Sequence, residues 1–148
     1  MVTSKECIQK WGDISNKEIS VSIEKSIMTV YRVPLHVRNQ IPALPRNIYM
    51  NKLMVEPFEK AIELVIERKL CDLIYSWNGC FVIRKKRGGQ SLSLHSWAIA
   101  IDINLKGNDY GEKPVMPLNL VACFLDAGFE WGGYWKKPDG MHFQLKEI

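Results

Sequence analysis

Over residues 56–70 apolar side chains recur at helical spacing, with Phe58, Ala61, Ile62, Val65 and Ile66 sharing one side and charged residues falling between them. That stripe, with Pro57 suited to a first turn, predicts an amphipathic helix. A second helix is predicted over 117–127, where Leu118, Val121, Ala122 and Leu125 share a face and Gly128 can end it. Shorter runs rich in β-branched and aromatic residues predict strands at 81–84, 98–103, 129–132 and 141–145. Elements in this order predict an α+β domain whose small antiparallel sheet is backed by helices.

The first fifty residues have a different character. Residues 16–30 carry Ile19, Ile23 and Ile27 at helical spacing, whereas 33–47 contain Pro34, Pro42 and Pro45 and are expected to be extended or looped. The chain therefore divides into an N-terminal arm or accessory element, 1–50, and a main unit, 51–148. A length of 148 residues with 47% hydrophobic content suits one compact domain overall.

No stretch approaches the roughly 18 apolar residues of a membrane span, and Lys5, Glu6 and Lys10 interrupt any signal-peptide core. Membrane insertion and general export are not expected. Cys7, Cys71, Cys80 and Cys123 are irregularly spaced with no Cys-x-x-Cys pair, so free thiols and no disulfide are expected. The net charge of +4 favours anionic partners in a salt-sensitive way, but no nucleic-acid-binding motif accompanies it.

Candidate chemistry gathers near the C-terminus. The small and β-branched run from Ile99 ends in Asp102, and a carboxylate brought to the end of a buried strand needs a cation or several donors. His95 and His142 supply the complement, since catalytic zinc takes three protein ligands from imidazole nitrogen and carboxylate oxygen. Asp139, three residues before His142 and followed by Gly140, is then free to act as general base. His36, by contrast, reads as an ordinary hydrogen-bonded residue.

These residues carry a family resemblance. The stretch from Cys80 through Asn104, then Trp131, Gly132, Gly133 and Trp135, then Asp139 and His142, resembles zinc peptidases that include phage L-alanyl-D-glutamate endopeptidases and bacterial D-alanyl-D-alanine carboxypeptidases of the vancomycin-resistance type. These belong to the lysostaphin, DD-peptidase and hedgehog fold group. The signature Ser-x-His-x-x-Gly-x-Ala-x-Asp is matched by Ser93, His95, Ala100 and Asp102, and the following acid-x-x-His by Asp139 and His142. The resemblance covers roughly residues 50–148. One position departs: Ala98 stands where the signature has glycine, which puts activity in doubt through a shifted strand or a narrower cleft.

The resemblance implies a hedgehog or DD-peptidase-like domain, a zinc cofactor held by His95, Asp102 and His142, Asp139 as base, and peptidoglycan as partner. It also implies oxyanion or carboxylate contacts from Arg84, with Arg87 second. Ser93 and Trp135 are expected at the substrate, Trp97 either there or packed in the core, and Gln144 behind a ligand. Aspartate rather than glutamate in the second motif, beside Trp-Gly-Gly-x-Trp, tilts toward a phage endolysin cleaving L-Ala-D-Glu, a monomer. Such a protein is made in the host cytoplasm without a signal peptide and reaches the wall once the membrane has been permeabilised. D-alanyl-D-alanine carboxypeptidase activity, a zinc-holding noncatalytic wall-binding or structural protein, and a basic nucleic-acid binder built on residues 84–87 are the alternatives.

Overall fold

The computed structural model describes residues 1–148. Five helices and six strands run in the order α1 (Ser4–Trp11), α2 (Ser20–Ile27), β1 (Met28–Arg32), α3 (Leu35–Gln40), β2 (Asn47–Asn51), α4 (Val55–Glu67), β3 (Trp77–Gly79), β4 (Ala100–Ile103), α5 (Leu118–Asp126), β5 (Phe129–Trp131) and β6 (His142–Leu145). Strands β1 and β2 form an antiparallel pair, and the other four form an antiparallel sheet in the order β3-β4-β6-β5. The fold is α+β with small antiparallel sheets and several helices, as the hydrophobic pattern predicts.

Helix α4 buries Phe58, Ala61, Ile62 and Val65, most of the stripe legible in the sequence. Helix α5 turns a different side inward. It buries Leu120, Val121, Cys123 and Phe124, while Leu118 and Leu125 are exposed. Phe124 selects that face by packing on Phe129 of β5 and Phe143 of β6, at ring-centre distances of 5.6 and 4.5 Å.

Four boundaries differ from the predicted ones for physical reasons. Residues 35–40 are helical because Pro34 sits at the N-cap and Pro42 follows the end, so the prolines flank the helix without interrupting it. The predicted helix over 16–30 stops at Ile27, where Met28 begins pairing with Asn51 of β2. Residues 81–84 form no strand, because their backbone partners lie at the turn around His95: Val82 donates to the His95 carbonyl, and Ser93 donates to that of Arg84. The strand beside β4 is Trp77–Gly79 instead, with an irregular register. Helix α1 went unpredicted although Thr3 and Glu6 form a reciprocal capping box at its start.

One core runs through the whole chain. Cys7, Ile14, Ile27, Ile41 and Met50 from the first fifty residues join Phe58, Trp97, Ile101, Phe124 and Phe143 in the same buried cluster. The cysteines are free thiols. No helix is long and apolar enough to cross a membrane.

Ala98, the departure from the family signature, lies in the left-handed region at φ 51°, ψ 40°. The motif's glycine thus answers a backbone requirement, which alanine meets with modest strain. Its methyl is wholly buried and does not line the cleft, so the expected narrowing of the cleft does not occur. Asn51 braces this turn from β2, its amide donating to the Trp97 carbonyl at 3.0 Å and its backbone N–H to that of Ala98 at 3.2 Å.

Ala98→Val should destabilise the protein by about 2–4 kcal/mol, since a β-branched residue is strained in this conformation and overpacks the core. Ala98→Gly should stay within about 1 kcal/mol of the parent, relief of strain offsetting the lost methyl. Urea unfolding compares them, and coincident midpoints for all three would show that the left-handed turn is not maintained.

Candidate metal centre

His95 occupies a single 3-10 turn, Leu94–Trp97, just ahead of β4. Ser93 caps the turn, its hydroxyl accepting from the His95 backbone N–H at 3.4 Å. Asp102 lies on β4 directly opposite His142 on β6. A capped turn and a cross-strand pair thereby bring three side chains from two sequence regions to one point.

His95 Nε2, His142 Nδ1 and Asp102 Oδ1 form a triangle with every edge 3.1 Å. The outer nitrogens are already engaged. His95 Nδ1 lies 2.9 Å from the Cys80 carbonyl, an acceptor only, so Nδ1 carries the proton and Nε2 turns its lone pair inward. His142 Nε2 lies 3.2 Å from Gln144 Oε1, and Gln144 Nε2 donates in turn to Glu130 at 3.3 Å. In that arrangement His142 Nδ1 also faces inward unprotonated.

Three electron-rich atoms then meet in a largely buried site, which calls for a cation. Zinc bonds of 2.0–2.1 Å at tetrahedral angles separate ligand atoms by about 3.3 Å, close to the observed edges. The donor set of two imidazoles and a carboxylate suits zinc, and the residues fit the ion. Without it, a histidine must take up a second proton to face the carboxylate. Burial opposes ionisation of Asp102, but hydrogen bonds from His142 and His95, with their charge, hold its carboxyl well below the usual carboxylate range. Cys80 stays outside the ligand set, its thiol pushed up to about 12 by burial and directed at the Ala98 carbonyl.

Asp139 lines the same cleft as His142. Its Oδ1 is buried and has no hydrogen-bond partner. Burial raises its carboxyl above the ordinary value, opposed by the charge of His142 and Arg87 and reinforced by that of Asp102. Gly132 permits this placement, because a Cβ there would fall 2.6 Å from the Asp139 carbonyl oxygen and 3.3 Å from His142 Cβ. The Trp131 indole fastens the same loop by donating to the Gly140 carbonyl at 2.8 Å.

The cleft holds about 320 Å³ and is lined by Arg84, Arg87, Ser93, Trp135, Asp139, His142 and Gln144 among others, which places most of the sequence-derived candidates together. Trp135 sits with its ring 5.3 Å from that of His142. Trp97 does not belong there. It is fully buried, and its indole donates to the Gly12 carbonyl at 3.2 Å, so of its two expected places the substrate contact is corrected and the core role is the one found. Sequence reasoning missed Tyr110 and Lys137, which also line the cleft with Lys86 of the basic run, and Glu130 behind Gln144. Lys137 alone had a local signal, standing between Trp135 and Asp139.

Residues 87–145 match a family model described as D-alanyl-D-alanine carboxypeptidase. All three triangle residues and Asp139 lie inside the matched stretch. No curated protein matches the chain significantly.

His95→Ala should abolish stoichiometric zinc binding, whereas Gln144→Leu should keep the site and weaken zinc about 10–100-fold, as loss of a ligand's hydrogen-bond partner does. Competition with a chromophoric chelator measures both, and unchanged affinity in Gln144→Leu would remove its supporting role. In chelated protein, the depressed Asp102 carboxyl contributes stability that is present above its unfolded value of about 3.9 and lost as pH falls below it. Urea midpoints against pH should therefore drop more steeply in acid for the parent than for Asp102→Asn, and parallel profiles would show that the histidines do not hold the carboxylate.

Proposed function

We propose that this protein is a zinc-dependent peptidoglycan hydrolase that cleaves the L-Ala-D-Glu bond of the stem peptide. The observation that carries the hydrolytic reading is the triangle of inward-facing donor atoms beside a buried, unpartnered Asp139 oxygen. A purely structural zinc site needs no such acid. The endopeptidase assignment draws on the Asp139-x-x-His142 pair and on Gly132, whose close packing seats Asp139 in the cleft.

His95, Asp102 and His142 would hold the ion. A zinc ion held by these residues would supply an activated water nucleophile near neutral pH and would polarise the scissile carbonyl. Asp139 accepts the proton of the attacking water and returns it to the leaving amine. Its missing hydrogen-bond partner leaves Oδ1 free for that task, and its burial makes it a stronger base than an exposed carboxylate. Arg84 is braced by its backbone N–H on Ser96 Oγ at 3.2 Å and stabilises negative charge that develops on the carbonyl oxygen, with Arg87 as the second candidate. Ser93 acts on His95 through the turn it caps, and Trp135 forms an apolar wall beside His142.

Release of terminal D-alanine is the second reading, favoured by the description of the matching family model. We further propose that the chain acts as a monomeric phage endolysin, made in the host cytoplasm and admitted to the wall when the membrane is permeabilised.

Incubation of zinc-loaded protein with peptidoglycan, followed by mass spectrometry of the fragments, should reveal new L-Ala and D-Glu termini that vanish on chelation. Loss of terminal D-Ala alone would move the assignment to the carboxypeptidase. Asp139→Asn should retain zinc and lower turnover by at least about 100-fold, in the range of general-base catalysis. Undiminished turnover would remove Asp139 from the mechanism.

A further inference from the structure

The cleft walls carry four cationic side chains, Arg84, Lys86, Arg87 and Lys137, against one carboxylate outside the metal triangle, Asp139. None of the four has an ion-pair partner, since the ion pairs of the chain are Met1 with Glu130, Arg68 with Asp126, and the contacts of the two histidines with Asp102. Two of the cations converge on one ring. Lys137 Nζ lies 4.6 Å from the centre of Tyr110, and the Arg87 guanidinium carbon lies 5.7 Å from it.

Three separate segments meet at that point: the basic run before the His95 turn, the loop after β4, and the connection between β5 and β6. Their junction is tied by the Gly111 backbone N–H, which donates to the Pro138 carbonyl at 2.7 Å. Gly111 also leaves room for the lysine stem, because a Cβ there would stand 3.2 Å from Lys137 Cε. The face of an aromatic ring attracts cations and offsets part of their mutual repulsion. It does not neutralise them, so two cations gathered on one ring present an attractive field to an anion.

We propose that Arg87 and Lys137, gathered on Tyr110, form a carboxylate-binding subsite that selects acidic peptides bearing a free carboxylate away from the bond cleaved at the metal centre. The inference rests on the peptidase reading and deepens it by naming the substrate class. Guanidinium engages a carboxylate through two parallel hydrogen bonds, and ammonium adds a point charge. A peptide fits the site better than a nucleic acid does. The cleft has the volume of a small-ligand pocket, and Tyr110 is already covered by cations while Trp135 lies against His142, which leaves no run of open aromatic faces for successive bases.

The test uses the zinc-loaded full chain, a stem tetrapeptide with a free diaminopimelate side-chain carboxylate, and the same peptide with that carboxylate amidated. Amidation should raise KM about tenfold, the effect of losing one charge-assisted contact. Lys137→Ala should erase the acid-over-amide preference, and Lys137→Arg should keep it. Equal KM for the two peptides, or an undiminished preference in Lys137→Ala, would overturn the subsite. Equilibrium binding of the γ-D-glutamyl-diaminopimelate dipeptide and of its amide separates this from the peptidase reading, because it requires no hydrolysis. If no stem peptide is cleaved, tighter binding of the acid that is lost in Lys137→Ala retains the subsite and sinks the peptidase, while equal binding of acid and amide sinks the subsite. Tighter binding of a single-stranded oligonucleotide than of the acidic dipeptide overturns the proposal in favour of nucleic acid.

Discussion

His95 Nε2, His142 Nδ1 and Asp102 Oδ1 each lie 3.1 Å from the other two, with the outer ring nitrogens committed to the Cys80 carbonyl and to Gln144. Atoms of like polarity at that separation, screened from water, repel one another strongly. The arrangement is favourable only with positive charge at its centre, from a metal ion or from an added proton. The surrounding scaffold therefore has to hold three side chains where none would settle by itself. It does so by backbone pairing: Asp102 and His142 are fixed by register across β4 and β6, and His95 by a capped turn braced from β2 through Asn51.

This bracing explains how the N-terminal residues matter to a site formed by the C-terminal half. The core crosses the change in sequence character near residue 50, and the C-terminal end of the turn that bears His95 is held by partners from outside it. Trp97 donates to the Gly12 carbonyl, and the Trp97 and Ala98 carbonyls accept from Asn51. Ala98 can replace the signature's glycine because these bonds hold its end of the turn, so a strain on the order of 1 kcal/mol is tolerated.

The ligand set was legible in the sequence because its spacing is local: His95 to Asp102 covers one turn and the start of one strand, and Asp139 to His142 covers one loop. Helix α4 was legible for the same reason, its stripe being wide enough to specify a face. What escaped the sequence depended on partners that are distant along the chain. The inward face of α5 was chosen by Phe129 and Phe143, and residues 81–84 gave up strand pairing for contacts with the His95 turn. The gathering of Arg87 and Lys137 on Tyr110 joins three segments that no local pattern connects. Helix α1 is a different case, since the Thr3 and Glu6 capping box was present to be read.

The electrostatics of the cleft tie base strength to recognition. Burial against Gly132 raises the Asp139 carboxyl, which strengthens it as a base but draws it toward protonation, and the charges of His142 and Arg87 act in the opposite sense. An acidic peptide entering alone would add a like charge and raise Asp139 further, removing the ionised form on which proton abstraction depends. Cations that pair with the incoming carboxylate cancel that effect near the base. On the proposed subsite, Arg87 and Lys137 thus do more than attract substrate: they allow a buried general base to remain ionised while a second carboxylate occupies the same small cleft.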